Sequence, residues 1–151
     1  MKIGIKYLSD KYGNGELKKP AYATDGSAGM DLPACIDEAV ILNPGDRMAI
    51  PTGMAIELPS PDYVAYIFAR SSLGLKKGIT LPNCVGVIDS DYRGEIKVAL
   101  TNISNEPYTV NPGERIAQLV IAPVIRVELE EKDELGDTDR GAGGFGSTGK
   151  L

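Results

Sequence analysis

Apolar and polar residues alternate in short stretches along most of the chain, and turn-forming residues separate these stretches. Alternation with a period of two indicates a strand that turns one face toward a core. The predicted strands cover residues 3–7, three short pieces within 39–58, residues 63–69, 85–88, 96–100 and 115–129. Turns are predicted between them, most clearly at residues 43–46, 51–53 and 111–113. Many short strands with hardly any helix predict an all-β domain, built as a barrel or a sandwich.

One segment, residues 70–78, favours a helix instead. Ser71 can act as the N-cap of a single helical turn that directly follows the strand 63–69. Lys76 and Lys77 lie near the end of this turn, and Gly78 can take the left-handed conformation that ends a helix. The sequence therefore predicts one short helical turn in an otherwise all-β chain.

Residues 83–94, NCVGVIDSDYRG, form the most distinctive stretch. Residues 85–88 predict a buried strand, and the alternating residues 96–100 predict the strand that returns beside it. The predicted β-hairpin carries Asp89, Asp91 and Tyr92 at its bend, where a simple two-residue turn would use Asn-Gly or Asp-Gly. The two acids and the ring suggest chemistry at this bend. The alternative is that both aspartates only solvate a turn, in which Asp is common.

Composition limits the classes of function. The chain has 151 residues, which fits a single domain with a substantial core. Its net charge of −5 argues against nonspecific nucleic-acid binding, although a few local arginines suffice for a small phosphate ligand. No stretch has the ~18 apolar residues of a membrane helix, and residues 1–7 do not resemble a secretory leader. We therefore expect a soluble cytoplasmic protein with no membrane partner.

Two residue types narrow the chemistry. The chain contains no histidine, which excludes Ser-His-Asp and Cys-His catalysis and histidine-ligated zinc. Proton transfer near neutral pH must then use a carboxylate, lysine, tyrosine or a bound metal. Cys35 and Cys84 are far apart in sequence, and we expect them to be buried free thiols rather than a disulfide.

Polar residues in three other places are candidates for binding. Arg70, Ser71 and Ser72 could form an anion site at the start of the predicted helical turn, or simply a helix cap with a surface arginine. The Gly-rich segment 140–149 could be a disordered terminus or a mobile arm that closes over a ligand. Arg115 and Gln118 fit the solvent face of an edge strand, and Asp31 fits an ordinary turn.

Five stretches together resemble the trimeric dUTP pyrophosphatase (dUTPase) family, whose five motifs follow a fixed order. They are GSAGMDL (26–32), ARSSLG (69–74), GVIDSDYRG (86–94) with the preceding Asn83, GERIAQLV (113–120) and RGAGGFGSTG (140–149). The motifs extend over nearly the whole chain. Ser72 departs from the glycine that many members have at this position.

The resemblance implies a fold and an assembly. It implies an all-β, jelly-roll-like barrel spanning residues 1–136, followed by a flexible Gly-rich arm, residues 137–151. It also implies a homotrimer whose three active sites lie at subunit interfaces, with the arm of one subunit closing a site built by others. The implied reaction is hydrolysis of dUTP to dUMP and pyrophosphate with Mg²⁺ as the cofactor.

The resemblance also implies roles for individual residues. Asp89 would be the general base that activates water, and Gln118 would help to position that water. Asn83, the backbone of Gly86, Val87, Ile88 and Asp89, and the region near Lys97 would recognise uracil, while Tyr92 would stack under the deoxyribose. The phosphates would be held by Arg70, Ser71, Ser72 and Arg140, and the arm residues Phe145, Gly146 and Ser147 would complete the site. Asp31 would be at most an outer-sphere partner of Mg²⁺, or a brace for Arg70.

Three alternatives remain open at this point. The first is a dCTP deaminase, alone or combined with dUTPase activity, because this related enzyme shares the fold and an RSS-type motif. The second is a dUTPase-like regulator that uses the nucleotide as a switch. The third is a β-barrel interaction module in which the motifs are coincidental.

Overall fold

The computed structural model describes residues 1–144, and this part of the chain is mostly β, as the alternation predicts. The strands are β1 (Gly4–Tyr7), β2 (Met30–Pro33), β3 (Val40–Leu42), β4 (Arg47–Pro51), β5 (Met54–Glu57), β6 (Tyr63–Ala69), β7 (Ile79–Thr80), β8 (Val85–Ile88), β9 (Lys97–Asn102), β10 (Tyr108–Val110) and β11 (Arg115–Pro123). One α-helix, α1 (Ser71–Lys77), and a 3₁₀ turn, Asp10–Tyr12, accompany them within residues 1–144. The predicted strands 3–7 and 63–69 and the three pieces within 39–58 are confirmed.

Pairing between distant strands creates the sheets. The largest described sheet has the antiparallel order β2-β11-β6-β8, and a second has the order β4-β9-β7. Two further ribbons pair β1 with β5 and β3 with β10. These pairings bring the first, second, third and fourth sequence motifs onto one four-stranded sheet.

Side chains from the inward faces of these sheets form one apolar core. Its fully buried members include Leu32, Leu42, Ile50, Met54, Ile67, Ile79, Ile96, Val98, Leu100, Val110, Ile116 and Leu119. Complete burial of a side chain of this size stabilises the fold by roughly 1.5–3 kcal/mol. Strands from every sheet contribute to this cluster, so the core fixes the sheets relative to one another.

The helix forms where the sequence predicts it but begins differently. Arg70, rather than Ser71, is the N-cap: its backbone is extended, and Ser71 is already the first helical residue. The carbonyl of Arg70 accepts the N–H of Gly74 at 3.0 Å, which closes the first turn without a capping side chain. Buried Leu73 anchors the helix, and Gly78 ends it with φ +64° as predicted. Within residues 1–144, no helix is long and apolar enough to cross a lipid bilayer.

The hairpin predicted for residues 85–100 is wrong. β8 pairs with β6, while β9 pairs with β4 and β7, so the two strands belong to different sheets. The connection 89–96 is long enough to cross between sheets, and alternation fixes which face a residue occupies but not which strand is its partner. β8 is also not buried: it pairs only with β6 in the described part of the chain, and Val87 is 58% exposed.

Four smaller predictions also need correction. The strand predicted for 115–129 ends at Pro123, because proline has no N–H to continue the ladder. β11 lies between β2 and β6 rather than at an edge, and its register shifts between Arg115 and Ala117. Asp31 lies within β2 and not in a turn. The cysteines are free as expected, but Cys35 is only half-buried and Cys84 is exposed.

Candidate active site

A cavity of about 280 Å³ lies where β8 ends and β9 begins. Its walls are formed by Val87, Ile88, Asp89, Tyr92, Glu95 and Lys97. β8 reaches this position because Gly86 lets it pack closely on β6: a Cβ at residue 86 would lie 3.0 Å from the Cβ of Ile67. The structure therefore brings together five residues predicted to contact the nucleoside or the water, with Glu95 as an addition.

The loop after β8 is held by its own hydrogen bonds. The N–H of Tyr92 donates to the carbonyl of Asp89 at 3.2 Å, and the Tyr92 hydroxyl donates to the carbonyl of Glu95 at 3.0 Å. Arg93 donates to the carbonyls of Ser90 and Tyr92 and pairs with Glu57 at 3.2 Å. An exposed ion pair of this kind stabilises little, so the carbonyl contacts are what order the loop. Sequence motifs gave no indication of this role for Arg93.

Asp89 and Asp91 both have exposed carboxylates. Together they also line a second cavity of about 530 Å³ on the side of β8 that carries Tyr66 and Arg126. Val87 and Asp89 border both cavities, so Asp89 stands at the junction between them. A carboxylate in this position is open to water and can accept a proton from it.

The chain enters β8 through a strained turn. The N–H of Val85 donates to the carbonyl of Asn83 at 2.7 Å, and the intervening Cys84 has φ +63°. This is a γ-turn of the rare type, which costs energy in a residue other than glycine. The turn sets the start of β8 and leaves the side chain of Asn83 exposed. The sequence contains no signal for it, since positive φ is normally marked by glycine or asparagine.

A second group of predicted residues surrounds Arg70. The Nε of Arg70 lies 3.0 Å from Oδ1 of Asp31, and Nη1 of Arg115 donates to Oδ2 of Asp31 at 2.8 Å. Nη1 of Arg70 also donates to the carbonyl of Arg115 at 3.1 Å. Arg70 and Asp31 form an ion pair, but the Nε–H of Arg70 does not point at Oδ1 of Asp31 well enough to make a hydrogen bond. The expected brace between these two residues is present, and Ser71 and Ser72 lie exposed beside it.

Strand register explains why Gln118 joins this second group. In the ladder, Gln118 is opposite Asp31 on one side and Phe68 on the other, two residues before Arg70. Its side chain is half-buried on a central strand, so it is not a solvent-facing residue of an edge strand. Nearby, the Tyr108 hydroxyl donates to Glu114, and burial raises the pKa of Tyr108.

The two groups lie at opposite ends of one ladder. Ile88 is opposite Ala65 on β6, and Arg70 follows the far end of β6, five residues beyond Ala65. Five residues of extended strand span about 17 Å. Asp89 therefore does not meet Arg70 within one chain. Gln118 is opposite Phe68, three residues along β6 from Ala65, and its strand β11 lies on the other side of β6 from β8. Arg140 lies in a separate loop, where its Nε donates to the carbonyl of Gly143. Phe145, Gly146 and Ser147 lie outside the described residues.

Comparison with known proteins identifies the family. The family model for dUTPase matches residues 16–149. The chain belongs to the dUTPase family. The deoxyuridine 5'-triphosphate nucleotidohydrolase of Hahella chejuensis is 56% identical over 145 residues, which are 96% of this chain and 95% of that protein. The protein of the same name from Neisseria gonorrhoeae is 57% identical over 130 residues, 86% of this chain and 87% of its own.

Solved structures confirm the predicted fold. The dUTPase of Staphylococcus bacteriophage 80alpha with bound dUPNHPP superposes with a TM-score of 0.84 at 27% identity, covering 98% of both chains. A mutant of that dUTPase with dUpNHpp gives a TM-score of 0.85 at 26% identity, again over 98% of both chains. The jelly-roll-like dUTPase fold is therefore the fold of this chain.

Proposed function

We propose that this protein hydrolyses dUTP to dUMP and pyrophosphate through attack of water on the α-phosphorus. Two relatives that share more than half of their aligned residues with it are named deoxyuridine 5'-triphosphate nucleotidohydrolase. The observation that carries the proposal is the cavity at the end of β8, where Asp89 and Tyr92 meet the strand backbone. A nucleoside in this cavity would contact Asp89, Tyr92 and the backbone of β8.

Base recognition would use the backbone of β8 and the side chain of Asn83. β8 pairs only with β6 in the described part of the chain, so the other edge of β8 presents backbone donors and acceptors. Uracil offers a matching pattern of one N–H between two carbonyls. Cytosine would leave these backbone groups unpaired, and close approach of the backbone would exclude the methyl group of thymine.

Sugar recognition would use Tyr92. Its ring forms one wall of the cavity and is 44% exposed, so it can stack under a deoxyribose. With the ring in contact with the sugar, a 2′-hydroxyl would have no space. Lys97 forms another part of the wall and completes the nucleoside pocket.

The chemical step would use a carboxylate in place of the missing histidine. Asp89 would accept the proton of a water that Gln118 helps to position for in-line attack. Arg70, Ser71 and Ser72 would hold the phosphates and stabilise the charge that develops on their oxygens. Because Asp31 already pairs with Arg70 and Arg115, it would fix the guanidinium of Arg70 rather than bind the substrate.

A complete site would require more than one copy of the chain. Asp89 and Tyr92 lie at one end of the β6–β8 ladder, and Arg70 and Gln118 lie at the other. About 17 Å of strand separates the position opposite Ile88 from Arg70, and Gln118 lies on β11, two strands away from β8. One water molecule therefore cannot contact Asp89 and either of these residues. A homotrimer with sites at subunit interfaces, in which one subunit supplies the nucleoside pocket and a neighbour the phosphate groups, would resolve this separation.

Mg²⁺ would enter the site with the triphosphate. Within residues 1–144, no group of three or more acidic or thiol side chains is placed to hold a metal. Both oxygens of Asp31 face arginines, so at most an outer-sphere contact remains for it. These residues fit an ion that keeps most of its waters and is bound mainly by phosphate oxygens, as Mg²⁺ prefers. The bound ion would neutralise phosphate charge in the transition state.

The C-terminal arm would close the site. We propose that residues 1–136 form the β domain and residues 137–151 the arm of a neighbouring subunit. Arg140 would contact the γ-phosphate and Phe145 would stack on uracil, with Gly146 and Ser147 beside them. The last three residues lie outside the described part of the chain. Closure of such an arm would exclude bulk water from the reacting phosphate.

The reaction would lower dUTP and supply dUMP for dTTP synthesis. A cytoplasmic location fits this role and fits the two free thiols, Cys35 and Cys84. The relatives' names do not favour the dCTP deaminase alternative. The exposed Asp89 and the intact Tyr92 likewise give no reason to prefer a purely regulatory protein.

A nucleotide panel tests the proposal. The protein is incubated with dUTP, dCTP, dTTP or UTP and Mg²⁺, and pyrophosphate and ammonia are followed. Pyrophosphate from dUTP alone is the expected result. Ammonia from dCTP would favour the deaminase, and dUTP binding without turnover would favour the regulator. Reaction in ¹⁸O-labelled water should place the label in dUMP, because attack at the β-phosphorus would label pyrophosphate instead.

A further inference from the structure

The ring of Tyr92 occupies the space that a side chain at residue 94 would need. An ideal Cβ at Gly94 would lie 2.4 Å from Oη, 2.5 Å from Cζ and 2.9 Å from Cε2 of Tyr92. All three distances are shorter than real non-bonded contacts of a Cβ. Gly94 is not among the described glycines with positive φ, so its backbone alone would accept alanine. The tyrosine ring, and not the backbone conformation, requires glycine here.

The ring, rather than the backbone, is the part that would yield to a larger residue. Tyr92 is 44% exposed, whereas the loop backbone is held by Arg93 and by the bond between Tyr92 N–H and the Asp89 carbonyl. Among residues 1–144, one hydrogen bond, from the Tyr92 hydroxyl to the carbonyl of Glu95, fixes the end of the ring. A methyl group at residue 94 would break this contact and move the cavity wall.

We propose that Gly94 is a specificity-determining positioning residue. By having no side chain, it lets the Tyr92 phenol lie against the main chain of residues 94 and 95, where the phenol forms the wall that distinguishes a deoxyribose from a ribose. Gly94 itself contacts no substrate and acts through Tyr92. The inference rests on the proposed function, because it assigns the sugar to this wall.

A double-mutant cycle tests the inference. The ratio of kcat/KM for dUTP to that for UTP is measured for the wild type, Gly94→Ala, Tyr92→Ala and the double variant. Gly94→Ala should lower this ratio about tenfold or more, since loss of a close-fitting wall changes discrimination by this order. The main change should be a higher KM for dUTP. In the Tyr92→Ala background, adding Gly94→Ala should leave the ratio unchanged, because no ring remains to be displaced.

Two controls separate positioning from folding. Gly136→Ala has no atom within 4 Å of the added methyl and should behave as the wild type. Gly94→Ala should melt within about 2 °C of the wild type, because an exposed ring can move at little cost. An unchanged dUTP-to-UTP ratio in Gly94→Ala would overturn the inference. An equal loss in both tyrosine backgrounds, or a Gly94→Ala protein that does not fold, would also overturn it.

Activity of the wild type and selectivity of Gly94→Ala test separate claims. If the wild-type protein does not hydrolyse dUTP, the proposed function fails, and the inference fails with it. If the wild type hydrolyses dUTP selectively but Gly94→Ala is equally selective, the proposed function stands and only the role of Gly94 is wrong.

Discussion

Asp89 is the residue on which the proposed chemistry depends. It directly follows β8, its carboxylate is exposed, and it borders both cavities around that strand. Asp91 shares one of these cavities but does not line the pocket that contains Tyr92 and Lys97. This difference favours Asp89 over Asp91 as the base.

Asp89→Asn should lower kcat by 10²- to 10⁴-fold, because asparagine cannot accept the proton of the attacking water. Binding of dUTP should change little, since the amide has nearly the same size. Turnover and the Kd of a nonhydrolysable dUTP analogue are the two measurements. Asp91→Asn is the matched control and should retain most activity; a larger loss in this variant than in Asp89→Asn would reassign the base.

Asp31 shows how one carboxylate can organise distant parts of the sequence. It lies on β2, yet it pairs with Arg70 at the end of β6 and with Arg115 at the start of β11. The side chains of Asp31 and Arg70 are both about one-fifth exposed, so the pair is partly shielded from water. Shielding strengthens the attraction compared with a surface pair and keeps the guanidinium of Arg70 in one orientation.

At the scale of elements, the contact between β8 and β6 positions the cavity proposed to bind the nucleoside. Gly86 is opposite Ile67, and a Cβ at residue 86 would come within 3.0 Å of the Cβ of Ile67, closer than most Cβ contacts in proteins. The close approach of the two strands thus depends on the absence of a side chain at this position. The γ-turn at Cys84 directly precedes β8 and sets where the strand begins, close to β6.

Gly86→Ala should push β8 away from β6. We expect the free energy of unfolding to fall by about 1–3 kcal/mol, the usual cost of overpacking, and the KM for dUTP to rise. Urea denaturation and steady-state kinetics measure the two effects. Gly136→Ala, which adds a methyl group in open space, is the control. A Gly86→Ala protein with wild-type stability and KM would show that the strands can separate without consequence.

Much of this level of structure could be predicted from the sequence. Alternation located the strands at 4–7 and 63–69 and the three pieces within 40–57, and the terminal residues located the short helix, because side-chain periodicity and helix capping are local properties. It could not assign partners: β8 and β9 were predicted to pair, although each joins a different sheet. Partner choice depends on how the whole core packs. The apolar sequence of β8 likewise gave no information about the exposure of Val87.

The candidate site, too, could be predicted only in part from the sequence. The motifs predicted which residue types would form the nucleoside pocket and the phosphate-binding group. The separation of these groups along the β6–β8 ladder depends on strand register, which no motif contains. The contacts of Arg93 and the space around Gly94 also depend on side-chain positions that only the folded chain defines.

At the scale of the whole molecule, activity should depend on the arm but assembly should not. Deletion of residues 137–151 removes the predicted lid while leaving every described strand intact. We expect kcat/KM for dUTP to fall on the order of 100-fold, because the site would no longer exclude water or complete its phosphate contacts. The proposed trimer should persist after truncation, and sedimentation measures this. Full activity after truncation would show that the arm is dispensable, and a monomer would place the arm in the assembly contact.

The free energy of unfolding should decrease at alkaline pH because Tyr12 is buried. Its hydroxyl donates to the carbonyl of Thr52 at 2.6 Å inside the core, and burial raises its pKa above the ordinary value of 10. The folded state therefore holds this proton longer than the unfolded state does. The resulting stabilisation is complete below pH 10 and decreases above it by about 1.4 kcal/mol per pH unit.

Urea denaturation between pH 9 and pH 12 measures this decrease. Tyr12→Phe should be less stable at pH 9, because the Thr52 carbonyl loses its partner, but its stability should fall less steeply above pH 10. Equal slopes for the two proteins would show that ionisation of Tyr12 is not coupled to unfolding.

We propose that one nucleoside pocket, formed by β8 and the loop after it, receives dUTP and presents its α-phosphorus to a water at Asp89. A crystal structure of the protein with a nonhydrolysable dUTP analogue and Mg²⁺ would show where the nucleotide binds. We expect uracil bonded to Asn83 and to the backbone of residues 86–89, the deoxyribose on the Tyr92 ring, and the triphosphate reaching Arg70 of a second subunit. Uracil bound away from residues 83–97 would contradict it.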